Sequence, residues 1–202
     1  MQTMEILFAS QDKGKIGQFQ FAADKLGYPA KIVSVYEKFP EVKPYSEEHG
    51  SSEEIVKHGA REIFEKIKSP VVVENNSLEV EALGKGPGPK SGKYLKEKKL
   101  AGLIEDMKGK ISRKARLVST VGFYDGSKLR VMKNAVEGQI SDRISFKDNE
   151  PLWVGPFGGG FNAVFIHPKK RKTFGEMTAE EFFTHGYSEP NFRLVLKHIF
   201  GY

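Results

Sequence analysis

Cysteine is absent from the 202 residues, which excludes disulfides and thiolate metal sites and fits a reducing compartment. No apolar run approaches the roughly 20 residues that a membrane-spanning helix needs. The apolar stretch within Met1 to Ser10 is too short for a signal sequence and lacks a small-residue cleavage pattern, so a soluble cytoplasmic protein is expected. The five histidines, His49, His58, His167, His185 and His198, show no metal-ligand spacing. Repeats and low-complexity tracts are also missing. What is present is a globular balance, 39% hydrophobic and 29% charged, in a chain of 22.7 kDa that suits one domain or two closely joined lobes.

A net charge of +6 and a pI near 9.3 are compatible with a polyphosphate ligand, a nucleic acid or a lysine-rich solvated surface. The basic residues are spread through Lys85 to Lys99, Lys108 to Arg116 and Lys169 to Lys172. They form no strip interleaved with aromatics, so nucleic-acid binding would rest on charge alone.

Glu5 to Ala9 reads as a buried strand, followed by a helix from about Lys13 to Leu26 with Ile16, Phe19, Ala23 and Leu26 on one face. Ile32 to Val35 reads as a second strand, and this order suggests a right-handed crossover in an α/β domain. Ser51 or Ser52 opens a helix that runs through Ile67 into an apolar strand at Val71 to Val73. Gly84 to Pro89 reads as a loop, since alternating glycine and proline suits neither ladder nor helix. A helix from about Tyr94 to Met107 and a hairpin over Ala115 to Val136 with its turn at Asp125-Gly126-Ser127 follow. Gly155 to Gly160 reads as a loop, Phe161 to Ile166 as a strand and Asn191 to Phe200 as a terminal helix with Phe192, Val195, Leu196 and Ile199 inward. A second lobe is expected over roughly residues 112–168.

Three groups of residues could carry chemistry. At the first strand-to-helix junction, Ser10, Asp12 and Lys15 could receive a phosphate, because helix N-termini favour anions; Asp12 serves equally well as a helix cap. The carboxylates Glu41, Glu74, Glu79 and Glu81 could hold a hard cation, which prefers oxygen ligands. Glu79 and Glu81 read as solvated residues on one face of a short strand, whereas Glu74 closes an apolar strand, where function often sits. The third group is the turn expected at Glu74-Asn75-Asn76-Ser77, where one carboxylate is followed by two neutral amides.

These segments together resemble the inosine/xanthosine triphosphate pyrophosphatases of the Ham1 family, in their archaeal form. The resemblance runs in register through Phe8 to Lys15, Phe39 to Val42, Glu53 to Val56, Pro70 to Leu83, Gly86-Pro87-Gly88 with Ser91, Ser119 to Gly126 and Lys172 to Thr178. It implies a two-lobed α/β fold with a mixed, twisted central sheet flanked by helices and a cleft between the lobes. It implies Mg²⁺-dependent hydrolysis, with Mn²⁺ as a substitute, of a nucleoside triphosphate, usually of a deaminated purine, to the monophosphate and pyrophosphate. A homodimer is implied as well. Residue by residue, Ser10 and Lys15 would contact the triphosphate, with Asp12 and Ser77 beside it, and Glu41 and Glu74 would hold the metal. Asn75 stands where the family has an aspartate acting as base or metal ligand. An amide oxygen can still bind a metal but brings no carboxylate to accept a proton.

Further departures are Asp12 for an asparagine, Gln18 for a glutamate, and Gly158 to Ala163 for a glycine- and aromatic-rich segment ending in aspartate and proline. In that segment Phe161 and Asn162 are the residues left to meet a base. The serine-histidine-arginine signature falls on Gly186-Tyr187-Ser188, or with a gap on Thr184-His185-Gly186, which makes His185 a candidate. Two readings follow from the resemblance: a pyrophosphatase with altered or weakened activity, or a catalytically silent relative that keeps the fold and nucleotide binding.

Overall fold

The computed structural model describes residues 3–48, 50–147 and 160–201. His49 and most of the loop expected at Gly155 to Gly160 lie outside the described residues. The elements are β1 (Met4–Phe8), α1 (Lys13–Lys25), β2 (Ala30–Ser34), α2 (Val35–Lys38), α3 (Ser52–Ile67), β3 (Val71–Val80), β4 (Gly86–Gly88), α4 (Ser91–Asp106), β5 (Lys114–Tyr124), β6 (Leu129–Ile140), β7 (Phe165–Ile166), α5 (Ala179–His185) and α6 (Glu189–Phe200). The strands form one mixed sheet in the order β2-β1-β3-β5-β6-β7, with β4 paired to β3. β1 runs parallel to both β2 and β3, and β6 and β7 are antiparallel.

The chain divides into two compact units: Met1–Asn75 with Ser119–Asn134 and Ser188–Tyr202, and Asn76–Val118 with Ala135–Tyr187. The chain therefore crosses from one unit to the other inside β3, β5 and β6.

In the first unit, period-two alternation sorts the strand residues onto two faces. Leu7 of β1, Ala9 just after it, and Val71 and Val73 of β3 pack with Ile55, Val56, Ala60 and Ile63 of α3. Phe8 points the other way, edge-on to Phe19 of α1 at 5.7 Å, and Phe19 stacks on Phe192 of α6 at 4.3 Å. Helix α3 forms where the sequence places it because Ser51 and Glu54 close a reciprocal capping box, leaving few orphan donors in its first turn. In the second unit Leu78, Val80, Leu103, Met107, Leu117, Phe165 and Phe174 anchor a separate core.

Several expectations change. The polar run Glu74 to Ser77 is the interior of β3, which continues to Val80, and is no turn. Glu81 belongs to a 3₁₀ turn at Glu81–Leu83, so it shares no strand with Glu79. Gly86–Gly88 does form a ladder, with Leu78, Glu79 and Val80 opposite Gly88, Pro87 and Gly86. Proline is tolerated there because β4 is a short strand that pairs only with β3 among the described residues. Where a strand was expected from Phe161, a 3₁₀ turn spans Gly160–Ala163 and only Phe165–Ile166 is extended.

Candidate functional site

Glu74 is the only buried carboxylate among the described residues, with 3% of its surface exposed. Burying a charge is costly unless it is paired and hydrogen-bonded, so its partners decide what it can do. Ser119 of β5 donates its hydroxyl proton to Glu74 Oε1 at 2.8 Å. Lys15 Nζ stands 3.6 Å from Oε2 and 3.4 Å from the Glu74 carbonyl. Tyr45 donates to that same carbonyl at 3.2 Å. Burial is the first cause that holds the Tyr45 phenol well above its ordinary pKa, with the charges of Glu47, Tyr36 and Glu74 adding to it, so it stays a proton donor. Oε2 itself is buried and receives no hydrogen bond among the described residues. One carboxylate oxygen is thus fixed, and the other is bare beside a lysine.

Asn75 follows on the opposite face of β3. Its Oδ1 accepts from Ser52 Oγ of α3 at 2.7 Å, both side chains being buried. The adjacent positions that the sequence sets together therefore have partners on different helices: Glu74 lies on the side of α1 and α6, Asn75 on that of α3.

At the start of α1, Asp12 is the N-cap and accepts from the backbone N–H of Gly14 at 2.8 Å and of Lys15 at 3.3 Å. Ser10 Oγ accepts from Asp12 N at 3.1 Å, and Ser34 Oγ donates to the Ser10 carbonyl at 2.7 Å. The cap and the phosphate-binding readings of this junction meet in one place, since the cap carboxylate occupies the positive end of the helix. Gln18 is buried in the same helix. Glu41 is exposed on the turn after Pro40, and no ion pair or hydrogen bond ties it to Glu74 among the described residues.

The remaining sequence candidates lie in the second unit. Ser77 is buried in β3. Phe161 packs at a tilt against Tyr94, ring centroids 6.4 Å apart. Asn162 is fully buried; its Oδ1 accepts from Tyr187 at 3.3 Å, while its Nδ2 has no hydrogen-bond partner among the described residues. His185 ends α5 half-buried, its ring 5.2 Å from that of His167. Burial is the first cause that depresses the His167 pKa, and the charges of His185, Lys169 and Lys170 follow. Ser10, Asp12, Lys15 and Glu74 are thus brought together, and Phe161 and Asn162 are neighbours; Glu41 and His185 join neither group by a contact.

The sequence model of the Ham1 family matches residues 6–185. The chain belongs to the Ham1 family. It is 31% identical over 180 residues to the dITP/XTP pyrophosphatase of Methanopyrus kandleri, covering 88% of this chain and 87% of that one. It is 29% identical over 178 residues to that of Thermococcus kodakarensis, with 88% of each chain covered. The Ham1 protein of Staphylococcus aureus superposes with a TM-score of 0.77 at 22% identity over 98% of both chains. That of Coxiella burnetii superposes with a TM-score of 0.79 at 17% identity over 99% of this chain and all of the other. At such identities these two likenesses establish the Ham1 fold.

Whether a divalent metal suits this Ham1 chain is decided by its donors. No cluster of three acidic or imidazole side chains exists among the described residues, so there is no ready-made protein cage. Mg²⁺ seldom uses one; it binds through one or two carboxylates, retains waters and takes phosphate oxygens from the substrate. The bare, buried Oε2 of Glu74 fits that mode. Two residues that contact Glu74 escaped the sequence reading: Ser119 and Tyr45. The one available signal was Ser119-Thr120, a pair of hydroxyls inside the apolar run from Leu117 to Phe123 of β5.

Proposed function

We propose that this Ham1 chain hydrolyses nucleoside triphosphates, with deaminated purines as the expected bases, to the monophosphate and pyrophosphate, at a rate lowered by Asn75. The observation that carries this reading is Glu74: a single buried carboxylate with one oxygen bare, set against a lysine at the mouth of a strand-to-helix turn. The relatives named dITP/XTP pyrophosphatase, aligned over most of both chains, support the substrate class.

Bound divalent metal, held by Glu74 Oε2 and supported by Glu41, would supply charge neutralisation for the phosphates and a polarised water. The chain's own residues do the rest. Lys15 moves its ammonium group from Glu74 toward a phosphate oxygen, and its stem of rotatable bonds permits that shift. Ser10 offers a hydroxyl at the same turn. The Asp12 carboxylate opposes the incoming anion, and the Asn75 amide, already accepting from Ser52, cannot take a proton from water. Binding and positioning are thus retained while proton removal is weakened. Cytoplasmic residence and a homodimer belong to the same proposal.

Asn75 also favours a second reading, a silent relative that binds nucleotide without turnover. Pyrophosphate release from dITP, XTP and the common triphosphates, with Mg²⁺ or Mn²⁺, separates the two. The first reading expects metal-dependent release that Glu74→Gln abolishes. Triphosphate binding without release from any substrate would establish the second.

A further inference from the structure

Behind Glu74 runs a chain of two buried hydrogen bonds that the reaction as described does not use. Asn191, in the first turn of α6, donates its Nδ2 to the Ser119 carbonyl and to Ser119 Oγ, both at 3.0 Å. Ser119 Oγ in turn donates to Glu74 Oε1 at 2.8 Å. Asn191 is 1% exposed and Ser119 not at all. The directions are fixed by chemistry. A backbone carbonyl only accepts, so the Asn191 atom facing it must be the amide nitrogen. The same nitrogen then donates to Ser119 Oγ, whose single proton is left for Glu74.

We propose that Ser119 and Asn191 are positioning residues, which commit one oxygen of Glu74 to the protein and so present the other to a divalent cation. This rests on the reading of Glu74 as a metal-holding carboxylate. Without Ser119, Oε1 loses its donor, and the carboxylate is free to turn both oxygens toward Lys15, a geometry that closes the ion pair at the cation's expense. Without Asn191, the hydroxyl can rotate its proton elsewhere. Outer-shell partners of this kind alter metal affinity about 10- to 100-fold when removed. The C-terminal helix would thereby contribute to the site through Asn191, with no contact to substrate.

The test is Mn²⁺ affinity, read by electron paramagnetic resonance in the presence of a non-hydrolysable triphosphate, together with kcat and KM. Ser119→Ala should weaken Mn²⁺ binding about tenfold or more and lower kcat, with the triphosphate KM at saturating metal little changed. Ser119→Thr, which keeps the hydroxyl, should recover most of the loss. Asn191→Ala should show the same pattern at about three- to tenfold, the range of one hydrogen bond. A circular-dichroism melt confirms that each variant is folded, and Asn191→Ala stands in if Ser119→Ala is not. Wild-type Mn²⁺ affinity in the folded variants, where Glu74→Gln has lost it, overturns the proposal and leaves the reading of Glu74 intact. Binding unaffected even by Glu74→Gln overturns both.

Discussion

Asp12 puts a carboxylate at the N-terminus of α1, where the proposed triphosphate would bind. An asparagine caps a helix about as well, so Asp12→Asn keeps the bonds to Gly14 and Lys15 and removes only the charge. Two unit charges some 4 Å apart in water interact by about 1 kcal/mol, so KM for the triphosphate should fall about fivefold with kcat little changed, as steady-state kinetics at fixed ionic strength would show. Asn75→Asp tests the other departure. Ser52 can donate to a carboxylate as it does to the amide, and the new carboxylate supplies a proton acceptor. A positioned general base is worth 10² or more, so kcat is expected to rise about 100-fold. An unchanged kcat would assign water activation to other groups.

At the scale of elements, α3 approaches its neighbours closely because Gly59 has no Cβ. One added there would lie 2.6 Å from the Tyr45 ring. Gly59→Ala gains about 1 kcal/mol in helix propensity, but overpacking costs about 1–3 kcal/mol. It also displaces the phenol that donates to the Glu74 carbonyl. Denaturant unfolding should therefore show a net loss. A second prediction concerns α5. The Glu181 carboxyl is held down to about 2 from an ordinary 4.5, first by its hydrogen bond from Lys172 and then by the Thr178 N–H. The unfolded chain binds this proton more tightly than the folded one. Stability from Glu181 is thus present above about pH 4.5 and drains away as pH falls toward 2. Acid unfolding of Glu181→Gln should be flatter across that window.

The same scale explains what the sequence could show. The capping box of Ser51 and Glu54 and the apolar face of α6 are local patterns, and both helices lie where those patterns put them. The run Glu74 to Ser77 looks like a turn because its polarity has no local cause. Its hydrogen-bond partners are Ser119, 45 residues along the chain, and Ser52, 23 residues back. Local pattern cannot reveal that a polar residue will be satisfied from so far away. For the same reason Glu74 could be picked out, since it follows an apolar run, while Asn191 could not.

For the molecule as a whole, family membership and the buried Glu74 point to one reaction, and the net charge of +6 fits an anionic substrate. Screening should weaken that attraction, so kcat/KM should decline as salt rises. The most direct measurement is product analysis by phosphorus NMR after incubating the purified protein with dITP and Mg²⁺. The account predicts monophosphate and pyrophosphate in equal amounts, with none from Glu74→Gln. Orthophosphate and diphosphate products, or equal pyrophosphate release by Glu74→Gln, would contradict it.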